Sequence, residues 1–213
     1  MSRKLNFKTD VIPFLIATIG EFVALHYWLL YMDIGYFILA NVLLWAGFIV
    51  ERGSVAMWIR KVYRPKEGIT SEDVPFGKQL IGWFGITFSE ILIWIIWFYA
   101  VEYTGNIVAC IILYPLMLIE HSVELGLVKR KNLLLHTIDL KTHFFTLMEV
   151  LAAALWIYFY QKGQIELAAL ALFTGLAIEH IIEGSALVPD KATESEKKLS
   201  SHKALDAETI TNS

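Results

Sequence analysis

The chain has 213 residues, is 56% hydrophobic and 14% aromatic, and carries a formal net charge of −3. A mean hydropathy of +0.55 is far above that of a soluble domain of this length, so the composition predicts a polytopic membrane protein. The charge balance gives no basis for a nucleic-acid partner, and a single cysteine, Cys110, excludes an internal disulfide.

The basic start, MSRKLNFKTD, precedes an apolar stretch that is too long for a signal-peptide core and lacks an A-x-A-like cleavage site. It is read as a retained first helix. Six apolar segments follow in order, at about 11–32, 35–59, 79–101, 107–128, 141–161 and 165–188. Each is near the ~20 residues needed to cross a bilayer. The expected fold is all-α, with six transmembrane helices arranged as three repeated helical hairpins (about 11–59, 79–128 and 141–188) in one domain, 1–188.

The connections alternate in kind. Three are short tips, each with a glycine suited to a tight reversal: Gly35, Gly105 and Gly163. The other two are longer and basic, with Arg60, Lys61, Arg64, Lys66 and Lys78 in or beside one and Lys129, Arg130 and Lys131 opening the other. By the positive-inside rule the long loops and both termini lie in the cytoplasm of a cell whose plasma membrane the chain crosses. Tyr27, Trp28, Tyr99, Tyr103, Trp156 and Tyr158 then form an aromatic belt near the tips. The tail, 189–213, is polar and is expected to be a disordered cytoplasmic segment.

An internal repeat locates the chemistry. The first helix of each hairpin holds one glutamate, Glu21, Glu90 or Glu149, and the second holds another, Glu51, Glu120 or Glu179. The two are 30 residues apart in every hairpin, with the tip glycine near the midpoint. At 1.5 Å per residue all six carboxylates lie about 20 Å from the tips, in one layer slightly past the middle of a ~30 Å hydrocarbon core. Two second helices extend the motif to E-H-x-x-E: Glu120-His121-Ser122-Val123-Glu124 and Glu179-His180-Ile181-Ile182-Glu183. Each such triple covers an arc of roughly 100°, narrow enough to face one interior. The first repeat has Arg52 and Val55 instead and reads as degenerate, with Arg52 neutralising part of the charge.

One intramembrane glutamate is ordinarily a protonated group bonded to a neighbouring helix. Eight in or near one layer are harder to accommodate, since a single central charge costs about 2.5–3.5 kcal/mol or more and like charges repel. Two histidines and one arginine cannot neutralise eight carboxylates, so cations or protons must. The predicted metal ligands are Glu21, Glu51, Glu90, Glu120, His121, Glu124, Glu149, Glu179, His180 and Glu183. Carboxylate with imidazole and no thiolate suits iron or manganese, with zinc as a third option. Ferritin-like di-iron centres use one Glu from each of two helices and a Glu-x-x-His pair from each of two more. Here Glu90 and Glu149 offer the lone carboxylates. His121 with Glu124, and His180 with Glu183, offer the pairs in reversed chain direction, leaving Glu120 and Glu179 as additional ligands or supports. The match is one of ligand arithmetic and implies no family.

The favoured function is a membrane-bound di-iron or di-manganese oxidoreductase whose lipophilic substrate arrives from the bilayer. The alternatives are a metal-ion or proton-coupled cation transporter with a midplane carboxylate site, a b-type haem subunit using His121 and His180, and a non-enzymatic subunit of a membrane complex. Ligand surplus favours a fixed centre over transport. His26, about 140° round the helix from Glu21, is expected beside an interfacial aromatic. His136 and His143 are expected in or beside a solvated loop, Trp94, Trp97 and Phe98 toward lipid, and Ser54 and Ser122 at helix–helix contacts.

Overall fold

The computed structural model describes residues 11–63, 76–129 and 140–187. Almost all of these are helical and none is in a strand. We number the six helices α1 (Ile12–Asp33), α2 (Phe37–Trp58, continued by a wider π turn at Ile59–Tyr63), α3 (Phe76–Thr104), α4 (Asn106–Lys129), α5 (Leu140–Gln161) and α6 (Ile165–Leu187). All six are long and apolar enough to cross a membrane. The chain is an all-α polytopic membrane protein. The tail and both long connections lie outside the described residues, and with them His136.

Each hairpin turns at its glycine, and all three adopt the left-handed backbone: φ is +83° at Gly35, +83° at Gly105 and +72° at Gly163. The first and third share a Schellman closure. Tyr36 N donates to Tyr31 O and Gly35 N to Met32 O; Gln164 N donates to Phe159 O and Gly163 N to Tyr160 O. The second uses the simpler form, in which Gly105 N donates to Val101 O at 3.0 Å. Tight turns at nearly equal distances from the glutamates, within one residue, keep the three hairpins in register.

Every helix packs against its chain neighbours, and α6 closes on α1, so the hairpins form a six-helix ring around a common interior. Close approach within hairpins depends on small residues one turn from the glutamates. A Cβ on Gly47 would lie 2.3 Å from Gly20 O, and one on Gly175 would lie 2.1 Å from the Ala152 methyl. The second hairpin has Leu116 where the others have glycine.

The repeat also builds the core. From the tips inward the second helices contribute Ala40, Leu44 and Phe48; Ala109, Leu113 and Met117; and Ala168, Leu172 and Leu176, all fully buried. The first helices add Trp28, Trp97 and Trp156 at matching positions, also buried, with Trp97 stacked on Trp156 at 6.1 Å. This apolar plug fills the ring between the tips and the glutamate layer. It corrects two expectations: Trp94 and Trp97 do not face lipid, and Trp28 and Trp156 are not belt residues. Tyr99, Tyr103 and Tyr158 do remain exposed.

Candidate metal centre

Seven glutamates (Glu21, Glu51, Glu90, Glu120, Glu124, Glu149 and Glu179) are buried, as are Arg52, His121 and His180. Glu183 lies on α6, but its side chain is outside the described set. One guanidinium therefore faces seven carboxylates in a low-dielectric interior, and the shortfall requires protons or metal.

The pseudo-threefold repeat organises the contacts. The second helix of each repeat directs its basic residue at the first helix of the next. Arg52 reaches Glu90, with Nε donating at 3.1 Å and Nη2 at 2.5 Å. His121 Nε2 lies 3.3 Å from Glu149 Oε2, and His180 Nε2 lies 3.7 Å from Glu21 Oε2. Arg52, His121 and His180 thus occupy three equivalent places around the ring.

Arg52 gathers more acid than the other two. Its Nη2 also donates to Glu120 Oε1 at 2.8 Å, its Nη1 donates to Glu124 Oε2, and Nε lies 3.3 Å from Glu51 Oε2. Glu124, expected as the i,i+3 ligand partner of His121, is instead an ion-pair partner of Arg52. Glu51 and Glu120 also lie on the arginine side. Repeat one is therefore not peripheral: its arginine is the cluster's internal cation.

Two groups of ligands converge beside this arginine cluster, and Glu90 belongs both to the cluster and to one of the groups. Glu21, Glu179 and His180 form one, and Glu21, Glu90 and Glu149 form the other, with candidate ligand atoms in each group within 4.8 Å of one another. Glu21 belongs to both, and His121 joins the second through Glu149. Ligand atoms about 2.1 Å from one ion and subtending 90–120° lie roughly 3.0–3.6 Å apart, close to the 3.3 and 3.7 Å imidazole–carboxylate separations.

Three threonines missing from the predicted set recur beside the first-helix glutamates, and two of them, Thr18 and Thr146, orient the imidazoles. Thr18, Thr87 and Thr146 each precede a first-helix glutamate by three residues, and each hydroxyl donates to the carbonyl four residues back: Thr18 to Phe14 O at 2.9 Å, Thr87 to Trp83 O at 3.0 Å, Thr146 to Thr142 O at 2.8 Å. A hydroxyl has one proton, so its oxygen can only accept from a further partner. His121 Nδ1 lies 2.8 Å from Thr146 Oγ1, and His180 Nδ1 lies 3.2 Å from Thr18 Oγ1 and 2.9 Å from Leu176 O. Both Nδ1 atoms are therefore protonated donors. In the neutral ring each Nε2 then turns a lone pair on an anionic oxygen, an arrangement that needs a proton or metal between them. Glu149 Oε2 accordingly has no hydrogen-bond partner among the described residues. The donor set fits a metal on this observation.

The signal for the threonines was present in the sequence as T-x-x-E in all three first helices, extended by tryptophan seven residues after each glutamate. His26 does lie beside an interfacial aromatic, its ring 5.6 Å from that of the exposed Tyr27, but it is buried. Residues Val23–Tyr27 form a π turn, whose wider winding carries His26 inward, where it is buried and stacks on Phe22 at 5.2 Å. Such turns recur at functional sites. His143 is helical and half-buried, with Nδ1 2.7 Å from Tyr114 Oη. Ser54 and Ser122 are buried at helix contacts and donate back to Glu51 O and Leu118 O.

The fold and the cluster define a class: a three-repeat, six-helix membrane bundle with a buried Glu/His group that can bind metal. No family model matches the chain, and neither a curated protein nor a solved structure matches it.

Proposed function

We propose that the bundle holds a dinuclear metal centre in the membrane interior and works as an oxidoreductase on a lipophilic substrate. The observation that carries this reading is Glu21, which is shared by both ligand groups as a bridging carboxylate would be. His180 and Glu179 would complete one site; Glu90 and Glu149, with His121 beside them, would complete the other. Oxygen and imidazole donors favour iron or manganese, and a pair of such ions would supply redox chemistry. The protein's own part is to keep the ligands charged and oriented. Arg52 offsets Glu51, Glu120 and Glu124 and anchors Glu90, and Thr146 and Thr18 hold the Nε2 of His121 and His180 toward their carboxylates. Apart from His26, the buried plug between the glutamates and the tips is built of apolar and aromatic side chains, which supports a fixed centre over a channel. Basic residues in both long connections favour tips outside and termini in the cytoplasm.

The test is metal content per chain, by mass spectrometry of protein purified in mild detergent. The expected result is two iron or manganese ions per chain, falling to one or none in Glu21→Gln, which keeps the side chain's shape. Metal-free wild-type protein that cannot be loaded, or a Glu21→Gln variant with both ions, would refute the reading. Rapid release and exchange of a loosely held ion would instead support transport.

A further inference from the structure

We propose that the seam between α2 and α3 is a binding site for a long-chain carboxylic acid, with its head on Arg60 and its chain running toward the tips beside the glutamate cluster. A cavity of about 340 Å³ lies there, within the range of small-ligand sites. Its wall is apolar and aromatic: Trp45, Ile49, Ala56, Met57, Trp83 and Phe84. Arg52 and Thr87 line it at the level of the cluster, and Arg60 lines it two turns further from the tips.

The local sequence explains why the ring opens at this seam. Between the other repeats an imidazole bonds to the threonine of the next helix. Here Arg52 directs its guanidinium at carboxylates, and Thr87 lines the cavity. The next residue, Gly53, has no side chain to close the gap, and a Cβ there would meet nothing within 4 Å.

Charge and length select the occupant. Arg52 is saturated by glutamates, so among the described residues that line the cavity the cation available to a ligand is Arg60, which is exposed and about 37 Å from the Gly35 tip along the helix. That depth is the membrane interface, where a carboxylate head sits in water and its chain in hydrocarbon. From Arg60 to Trp45 the wall runs about 22 Å, longer than the ~15 Å occupied by an acyl chain in one leaflet. A chain so placed passes Arg52 at mid-length. As the substrate class of the metal centre this rests on the proposed dinuclear reading; the binding itself does not.

The molecule carries its own reporter. Of the seven tryptophans, Trp28, Trp58, Trp94, Trp97 and Trp156 are buried, while Trp45 and Trp83 are partly exposed and both line the cavity. Titrating the full chain in phosphatidylcholine nanodiscs with a dibrominated stearate should give saturable quenching of tryptophan fluorescence. Gly53→Leu, which fills the cavity into open space, should weaken binding by about tenfold or more while leaving metal content unchanged. The acid should bind several-fold more tightly than the matching brominated alcohol, and Arg60→Gln should abolish that preference. Unsaturable quenching, or equal affinity in Gly53→Leu, would overturn the site. Equal binding of acid and alcohol by the wild type would overturn the assignment of the head group. Saturable, Gly53-sensitive binding to a chain that holds no metal would retain the site and remove only the metal reading.

Discussion

Replacing Arg52 with alanine tests the electrostatic design most directly. Arg52 is 7% exposed and donates to Glu90, Glu120 and Glu124, with Glu51 at 3.3 Å. Removing one partner of a buried ion pair costs about 3–5 kcal/mol, because the other charge is left uncompensated. Four carboxylates share this cation, so the loss falls at the upper end unless protons replace it. For chains of this size each kcal/mol moves the melting temperature by about 2–4 °C, which makes the expected drop about 6–20 °C in metal-free protein. The assay is thermal unfolding in mild detergent with and without added iron(II) or manganese(II). Metal should recover part of the loss in Arg52→Ala, because a new cation then enters a cluster stripped of its own. Metal content should fall less than in Glu21→Gln, since of the acids that Arg52 contacts only Glu90 belongs to a ligand group, whereas Glu21 belongs to both. A metal-free Arg52→Ala protein that melts with the wild type would refute the reasoning.

Arg52→His should place a third imidazole opposite Glu90 and raise the metal content above that of the wild type; unchanged stoichiometry would contradict the equivalence of the three places. Thr146→Val and Thr18→Val should each weaken metal binding by about 10–100-fold with little change in helix content, measured by competition with a chelator. Metal occupancy should fall as pH falls, because carboxylates and imidazoles bind metal only when deprotonated; occupancy that rises on acidification would exclude these ligands. Gly47→Leu should destabilise the first hairpin, since even a Cβ there meets Gly20 O at 2.3 Å, whereas Gly85→Leu, with open space around it, should be tolerated.

Length and hydropathy alone determined the six helices, and the 30-residue spacing with a central glycine determined that six glutamates share one depth. Both follow from local geometry: 1.5 Å of rise per residue and a turn that only glycine adopts easily. The T-x-x-E and tryptophan positions were equally legible, because they recur at the same offsets in all three first helices. What depth cannot set is direction around the ring. Whether Glu124 meets His121 or Arg52, whether Trp97 faces lipid or core, and whether Glu21 joins two ligand groups depend on how hairpins distant in sequence pack together. The π turn at Val23–Tyr27 rotates His26 inward against the regular helical count, and no residue type in that stretch announces it. Only closure of α6 on α1 brings Glu21 to Glu179 and His180, since the contact spans nearly the whole chain and exists once the third hairpin has docked on the first.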